Sequence, residues 1–444
     1  MKKIVLFLCL LQSFFLAAQP IKVEVVNKGG RFHLERGGEP YYINGAGGHE
    51  FLDELVYLGG NSIRTWSAED AEQILDDAQE KGLTVMFGLW VQHERHGFNY
   101  DDEVAVKKQL EHFTTIVKKY KEHPALLLWC VGNEFDLFYT NTKVWNAVQD
   151  IAAMIHEVDP NHPTSLVTAG LDSNEVQEVL AKVPDVDIYG FNTYGDIAKH
   201  SANIEKYGWK GPYIISEWGP NGHWEVEKTK WGAPIEQTST EKAASYQKRH
   251  EKYIAAKTDH CIGSYVFLWG QKQETTATWY GLFTTDGKPT EPLDKLYLAW
   301  QKQRPPNSSP TVSNIILDGK LSAESIYLKA QDIYTATVDY SDPDSNKVKV
   351  DWFVFPESDA VSAGGDFESA LQPILGTISK RKGKSVQVTA PKKEGAYRLF
   401  VFVQDKGKRT AYANIPFYVL PREKDDPPAK SVRFKSQELK VDRN

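Results

Sequence analysis

The feature that most constrains this chain is an alternation of short apolar runs with amphipathic helical stretches between residues 41 and 302. Apolar runs at 41–45, 61–66, 83–91, 126–134, 164–169, 186–194, 212–217 and 262–269 read as strands buried on both faces, the signature of a parallel sheet covered by helices. Apolar residues spaced by three and four predict helices at 51–58, 68–81, 103–122, 143–158, 173–182, 241–257 and 293–302. Their stops are explicit: Gly82 follows one, Pro124 another, and Asp159-Pro160 a third. Eight strands alternating with helices over roughly 260 residues are the count and size of an α/β fold of the (β/α)8 TIM-barrel type. A doubly wound open sheet is the competing topology. It would struggle to bring the ends of the fourth and seventh runs into one pocket, and no Gly-rich phosphate loop follows the first run.

With 444 residues and 41% hydrophobic content, the chain has length for more than one core. Met1-Lys2-Lys3 followed by the apolar stretch 4–18 reads as a signal peptide over 1–18, exporting the protein to the periplasm or the medium. That stretch is too short for a membrane span, and none other approaches the length. The barrel is expected over 19–304, opening with a hairpin of 21–26 and 32–36 around Lys28-Gly29-Gly30. Pro305, Pro306 and Pro310 mark a linker over 305–310. Beyond it the pattern alternates with period two at 312–316, 333–340, 348–355, 385–389, 397–404 and 411–419, which predicts an all-β immunoglobulin-like sandwich over 311–421. Residues 422–444 are charged without an apolar pattern and are expected to be disordered. A net charge of −7 offers no basic patch for nucleic acid. Cys130 and Cys261 are expected as buried free thiols, no His/Cys spacing fits zinc, and the chain is read as a monomer. Asp342, Asp344 and Asn346 read as an Asp/Asn turn rather than a calcium site.

Two apolar runs end in a carboxylate. Leu128-Trp129-Cys130-Val131-Gly132-Asn133-Glu134 closes the fourth, and Tyr213-Ile214-Ile215-Ser216-Glu217 the seventh. A buried acid is costly unless paired or hydrogen-bonded, so two of them on one barrel rim point to a catalytic carboxylate pair. Paired carboxylates are the apparatus of glycoside hydrolysis. In a double displacement, Glu217 would be the nucleophile, held ionised by Arg64 and Tyr194, and Glu134 the acid/base, its pKa raised by burial and by its negative neighbour. Asn133 is placed to reach a sugar 2-hydroxyl, and Trp269 to floor the sugar ring. His49, Trp90 and Trp218, also at strand ends, are further candidates for substrate contacts. His93 and His96 lie in the loop after the third run. Each residue has a plainer reading: acids and Arg64 as a structural ion pair, aromatics as barrel plugs, histidines as solvated loop side chains. The mechanism needs no metal and no organic cofactor.

Gly132-Asn133-Glu134 together with Ser216-Glu217-Trp218-Gly219 resembles clan A of the glycoside hydrolases. The resemblance implies a retaining β/α-barrel enzyme with its acid/base on strand four and its nucleophile on strand seven. Gly60-Asn61-Ser62-Ile63-Arg64 and Asp187-Ile188-Tyr189-Gly190-Phe191-Asn192-Thr193-Tyr194 are similar to the family 2 catalytic barrel. The order of barrel then immunoglobulin-like domain, with Glu274-Thr275-Thr276-Ala277-Thr278-Trp279-Tyr280-Gly281-Leu282-Phe283, is similar to the bacterial endo-β-1,3-glucanases of family 158. That resemblance implies laminarin-type glucan as the polysaccharide or oligosaccharide substrate. Mannan, a β-galactoside, transglycosylation, or a non-catalytic glycan-binding protein remain as alternatives.

Overall fold

The computed structural model describes residues 20–360 and 363–423. The expected signal peptide lies outside the described residues, as does 424–444 of the expected disordered tail. Arg422, at the start of that tail, still donates to the Ala330 carbonyl (3.0 Å).

Eight parallel strands close into a barrel in chain order: Ile43–Gly47, Ser62–Arg64, Thr84–Leu89, Leu126–Val131, Thr164–Thr168, Ile188–Asn192, Tyr213–Trp218 and Cys261–Val266, with the last pairing back to the first. A helix follows every strand. Lys143–Val158 and Ser173–Lys182 fall where the apolar spacing places them. Ile197–Asn203, between the sixth and seventh strands, had no sequence signal, because Ile197 is its only large apolar residue and one position shows no period. The expected helix 241–257 is Ser239–Arg249 followed by a π-helical turn, His250–Ile254. The expected hairpin gains a third strand, so that Val23–Lys28, Arg31–Arg36 and Glu39–Tyr41 form a small antiparallel sheet. Its Val23 and Leu34 pack with Ile43, Met86, Leu128 and Cys130 in the barrel interior, sealing the end opposite the strand C-termini. Cys130 and Cys261 are buried free thiols.

The C-terminal part is a sandwich of two four-stranded sheets. One runs Ile316–Leu317, Ile333–Thr337, Ser385–Thr389, Ile378–Lys382, and the other Ile326–Lys329, Thr410–Leu420, Gly395–Gln404, Lys349–Pro356. Val386, Val388, Trp352, Leu399 and Ile415 fill the space between them. Strands Ile326–Lys329 and Ile378–Lys382 were not expected: the second, Ile-Ser-Lys-Arg-Lys, has no apolar alternation and is mostly exposed. Asp342 closes its turn by accepting from the backbone N–H of Asp344 and Asn346 (2.9 Å each), as its composition predicts.

The two parts are joined through buried polar groups. Lys242, on the barrel's seventh helix, donates to Glu236 Oε1 (2.6 Å) and to the carbonyls of Thr278 and Trp279 (2.7 and 2.9 Å). Glu236 Oε2 accepts from Thr276 Oγ1 and from Asn414 Nδ2 on the last sandwich strand (2.6 Å each). Tyr412 on that strand donates through its hydroxyl to the Thr278 carbonyl (3.0 Å). A buried charge without its partner keeps its full desolvation cost. Lys242→Met is therefore expected to destabilise the protein by about 3–5 kcal/mol, read from denaturant unfolding.

Candidate active site

The strand C-termini converge on a cleft of about 250 Å³ lined by Glu134, Glu217, Asn133, Tyr194, Trp66 and Trp90, among others. Local backbone irregularities aim the two carboxylates. On the seventh strand, Ile214 faces the barrel interior, while Tyr213, Ile215 and Trp218 join the helix-facing core. Simple alternation would send Glu217 outward with Ile215. A register shift between Ile215 and Glu217, against the sixth strand, turns it inward. On the fourth strand, Gly132 at φ +79° and Glu134 at φ +48° bend the chain off the barrel. A Cβ on Gly132 would lie 2.6 Å from the Phe135 ring, so only glycine fits there. The left-handed backbone of Glu134 is held by its N–H, which donates to the Val167 carbonyl (2.9 Å).

The surroundings of the two acids differ. Glu217 Oε1 accepts from Arg64 Nη1 and Trp66 Nε1, and Oε2 accepts from the Tyr194 hydroxyl, each at 2.9 Å. Among the described residues Glu134 has one such donor, Asn192 Nδ2 (2.7 Å). Burial, and then the negative charge of Glu217, push the Glu134 pKa from 4.5 up to about 7. Arg64 is wholly buried and ties the rim together, donating also to the Ser216 carbonyl (2.9 Å) and to Asn133 Oδ1 (2.6 Å). Asn133 Oδ1 further accepts from Asn192 Nδ2 (3.1 Å), which fixes the amide so that its NH2 is the end turned away from Arg64.

Other expected residues are distributed unevenly. Trp90 lines the cleft, stacked on His93 (ring centroids 4.6 Å), which stacks in turn on His96 (5.1 Å). His93 is a support: its ring bonds the Asn133 carbonyl (2.8 Å), Arg95 Nε donates to Nδ1 (3.2 Å), and burial lowers its pKa to about 4, so it stays neutral. Three expectations are corrected. Trp269 does not floor the cleft; it is buried in the helix-facing core, donates to the Glu50 carbonyl (2.7 Å) and packs against Phe283. The eighth strand stops at Val266, and Phe267 and Leu268 take the cleft position instead. Trp218 is buried against Tyr246, outside the cleft, because it follows Glu217 by one residue and so faces the helices. His49 is exposed and does not line the cleft.

Residues the sequence reading did not place here are Lys272 and Glu274, beyond the eighth strand, and Gly364 and Gly365 from the sandwich. Lys272 and Glu274 form an ion pair (2.7 Å) at the edge of the cleft. Burial, as the largest effect, raises the Glu274 pKa. For Glu274 the available signal was its place at the start of the segment that resembles family 158; for Lys272, Gly364 and Gly365 there was none. No cluster of metal-ligating side chains occurs among the described residues.

The profile of "Glycosyl hydrolases family 2, TIM barrel domain" matches residues 55–300, more than half of the chain. The chain belongs to glycosyl hydrolase family 2. Its barrel corresponds to the TIM barrel domain of that family. Among curated proteins it is similar to the β-glucuronidases of Canis lupus familiaris (25% identical over 176 residues) and Homo sapiens (24% over 178 residues). The matched region is 35% of this chain and about a quarter of the length of those relatives. Among solved structures, a calcium-binding mutant of Bacteroides uniformis β-glucuronidase 2 superposes with a TM-score of 0.50 at 15% identity, covering 90% of this chain and 48% of that one, a likeness of fold.

The Glu134 carboxyl carbon, followed by NMR, is expected to titrate near pH 7. The folded chain thus keeps a proton that the unfolded chain releases near 4.5, so this group's contribution to stability is lost as pH rises through about 7. Asn192 donates to the ionised form, so Asn192→Ala is expected to move that titration higher.

Proposed function

We propose that this family 2 enzyme is an exported, retaining β-glycoside hydrolase acting by double displacement on a neutral β-glycan, with Glu217 as nucleophile and Glu134 as acid/base. What carries the reading is the asymmetry of the two carboxylates. Glu217 is held by three donors, one of them a buried guanidinium, which set its oxygens for attack on an anomeric carbon. Glu134, with its pKa at about 7, holds the proton that the departing glycosidic oxygen needs. Glu217 forms a bond to the anomeric carbon as the C–O bond to the leaving sugar breaks and Glu134 protonates that oxygen. Glu134, now ionised, takes a proton from water, whose oxygen displaces Glu217 and releases the sugar with its configuration retained. The Asn133 NH2 is oriented toward a sugar hydroxyl, while Trp66, Phe267 and Leu268 supply apolar walls.

Charge argues for a neutral sugar. The cleft holds Glu134, Glu217 and Glu274, and its one lysine, Lys272, is already paired with Glu274. A uronate would bring a further carboxylate into that surround. The resemblance of the Glu274–Phe283 region to endo-β-1,3-glucanases makes laminarin-type glucan the first choice, cut internally. The β-glucuronidases among the relatives make an aryl β-glucuronide the necessary competitor.

The test is reducing-sugar release from laminarin, mannan and β-galactan, alongside an aryl β-glucuronide. Laminarin is expected to be cleaved, with Glu134→Ala slowing turnover by about 10²–10⁴-fold and Glu217→Ala abolishing it. Cleavage of the glucuronide in preference to every neutral glycan would overturn the substrate. Binding of laminarin without hydrolysis of any glycan would overturn the catalytic reading.

A further inference from the structure

Between its strands Lys349–Pro356 and Ile378–Lys382 the sandwich carries a long connection, whose described residues 363–366 lie at the mouth of the barrel. Residues 363–366 of that connection, Ala-Gly-Gly-Asp, are fastened to the barrel rim from two sides. From the loop after the third strand, Arg95 Nη1 donates to the Ala363 carbonyl (3.1 Å) and to Asp366 Oδ2 (2.8 Å), and His96 meets Asp366 Oδ1 (3.2 Å). From beyond the eighth strand, Lys272 Nζ donates to the Gly365 carbonyl (3.1 Å), and the Thr275 N–H donates to Glu368 Oε2 (2.9 Å).

This fastening sets Gly364 against the acid/base. A Cβ on Gly364 would stand 3.2 Å from Glu134 Oε2 and 2.9 Å from Arg95 Nη2. Glu134 Oε1 already accepts from Asn192, so Oε2 is the oxygen that faces Gly364. Gly364 borders two spaces, the cleft with both carboxylates and an adjoining one of about 390 Å³ beyond Glu134. Glu134, Tyr194 and Trp224 also border both, and Trp224 is 56% exposed.

We propose that residues 363–366 of the sandwich form one wall of the subsite for the leaving-group sugar, with the Trp224 ring as the other. The inference rests on the double-displacement reading above. A pyranose of the leaving glycan would lie with its apolar face on Trp224 and its edge along the Gly364–Gly365 backbone, its glycosidic oxygen at Glu134 Oε2. Both glycines have left-handed φ, +57° and +75°, and a Cβ on Gly364 would also stand 2.7 Å from Leu137, so the absence of a side chain lets the backbone itself lie against the rim. The sandwich is then part of the substrate site, and Arg95 and Asp366 are positioning residues that hold the wall.

The experiment compares Asp366→Ala and Gly364→Ala with wild type on laminaripentaose and on an aryl β-glucoside, whose leaving group is too small to need the wall. The expected result is a rise of roughly tenfold in KM for laminaripentaose, the scale of one lost hydrogen bond or more, well beyond the change on the aryl glucoside. Equal losses on the two substrates, or no change on either, would overturn the wall, and melting temperatures identify a variant that has lost its fold. Wild type that hydrolyses neither substrate sinks the enzymatic reading itself, and the wall with it.

Discussion

The Arg64 guanidinium is the group on which the active rim depends. It is buried completely at the end of a three-residue strand, where an unpaired charge would be untenable. Its N–H groups bond Glu217, the Ser216 carbonyl and Asn133, and approach Asn192 Oδ1 (3.4 Å). The second, fourth, sixth and seventh strands are thereby referenced to one planar fork. Arginine suits the position better than lysine: the fork fixes several acceptors at once and cannot lose its proton. A rim tied this way gives the nucleophile's oxygens little freedom, which is what a reaction needing a set attack geometry requires.

The same buried charge separates the two acids. Both are glutamates at strand ends of one barrel, and their chemical difference is imposed from outside. Glu217 accepts from Arg64, Trp66 and Tyr194, while Glu134, among the described residues, accepts from the Asn192 amide and feels Glu217 as a negative neighbour. Burial and that neighbour together keep the proton on Glu134.

The barrel was legible in the sequence because buried parallel strands are continuous apolar runs and their helices carry explicit stops. The rim was legible because a closed parallel sheet must present all its strand C-termini at one end, so Arg64, Asn133, Glu134, Tyr194 and Glu217 had to meet once the barrel was granted. What failed was orientation at single-residue resolution. Trp218 adjoins Glu217, and the side-chain period of two sends it to the helices once a register shift has turned Glu217 inward. Trp269 was placed on the assumption that the eighth strand continues to it, but the strand ends at Val266. Irregularities of this kind depend on neighbouring strands and leave no periodic trace. The sandwich contribution was invisible for another reason: Gly364 and Glu134 are 230 positions apart, and only the packing of one domain on the other brings them together.

That packing is not the loose contact of two beads on a linker. Glu236 and Lys242 are buried together at the join, completed by donors from both sides. Arg398, within the sandwich, bonds Glu357 and Asn414 and reaches across to the Pro234 carbonyl (2.9 Å). Buried polar groups tolerate little displacement, since a shift that breaks one bond leaves a desolvated donor or acceptor behind. A hydrophobic join of the same area would allow sliding. The polar one fixes where the sandwich sets residues 363–366, and a loop placed against Glu134 needs a fixed origin. The rigidity of a surface far from the chemistry and the shape of the cleft are, on this view, consequences of the same buried network.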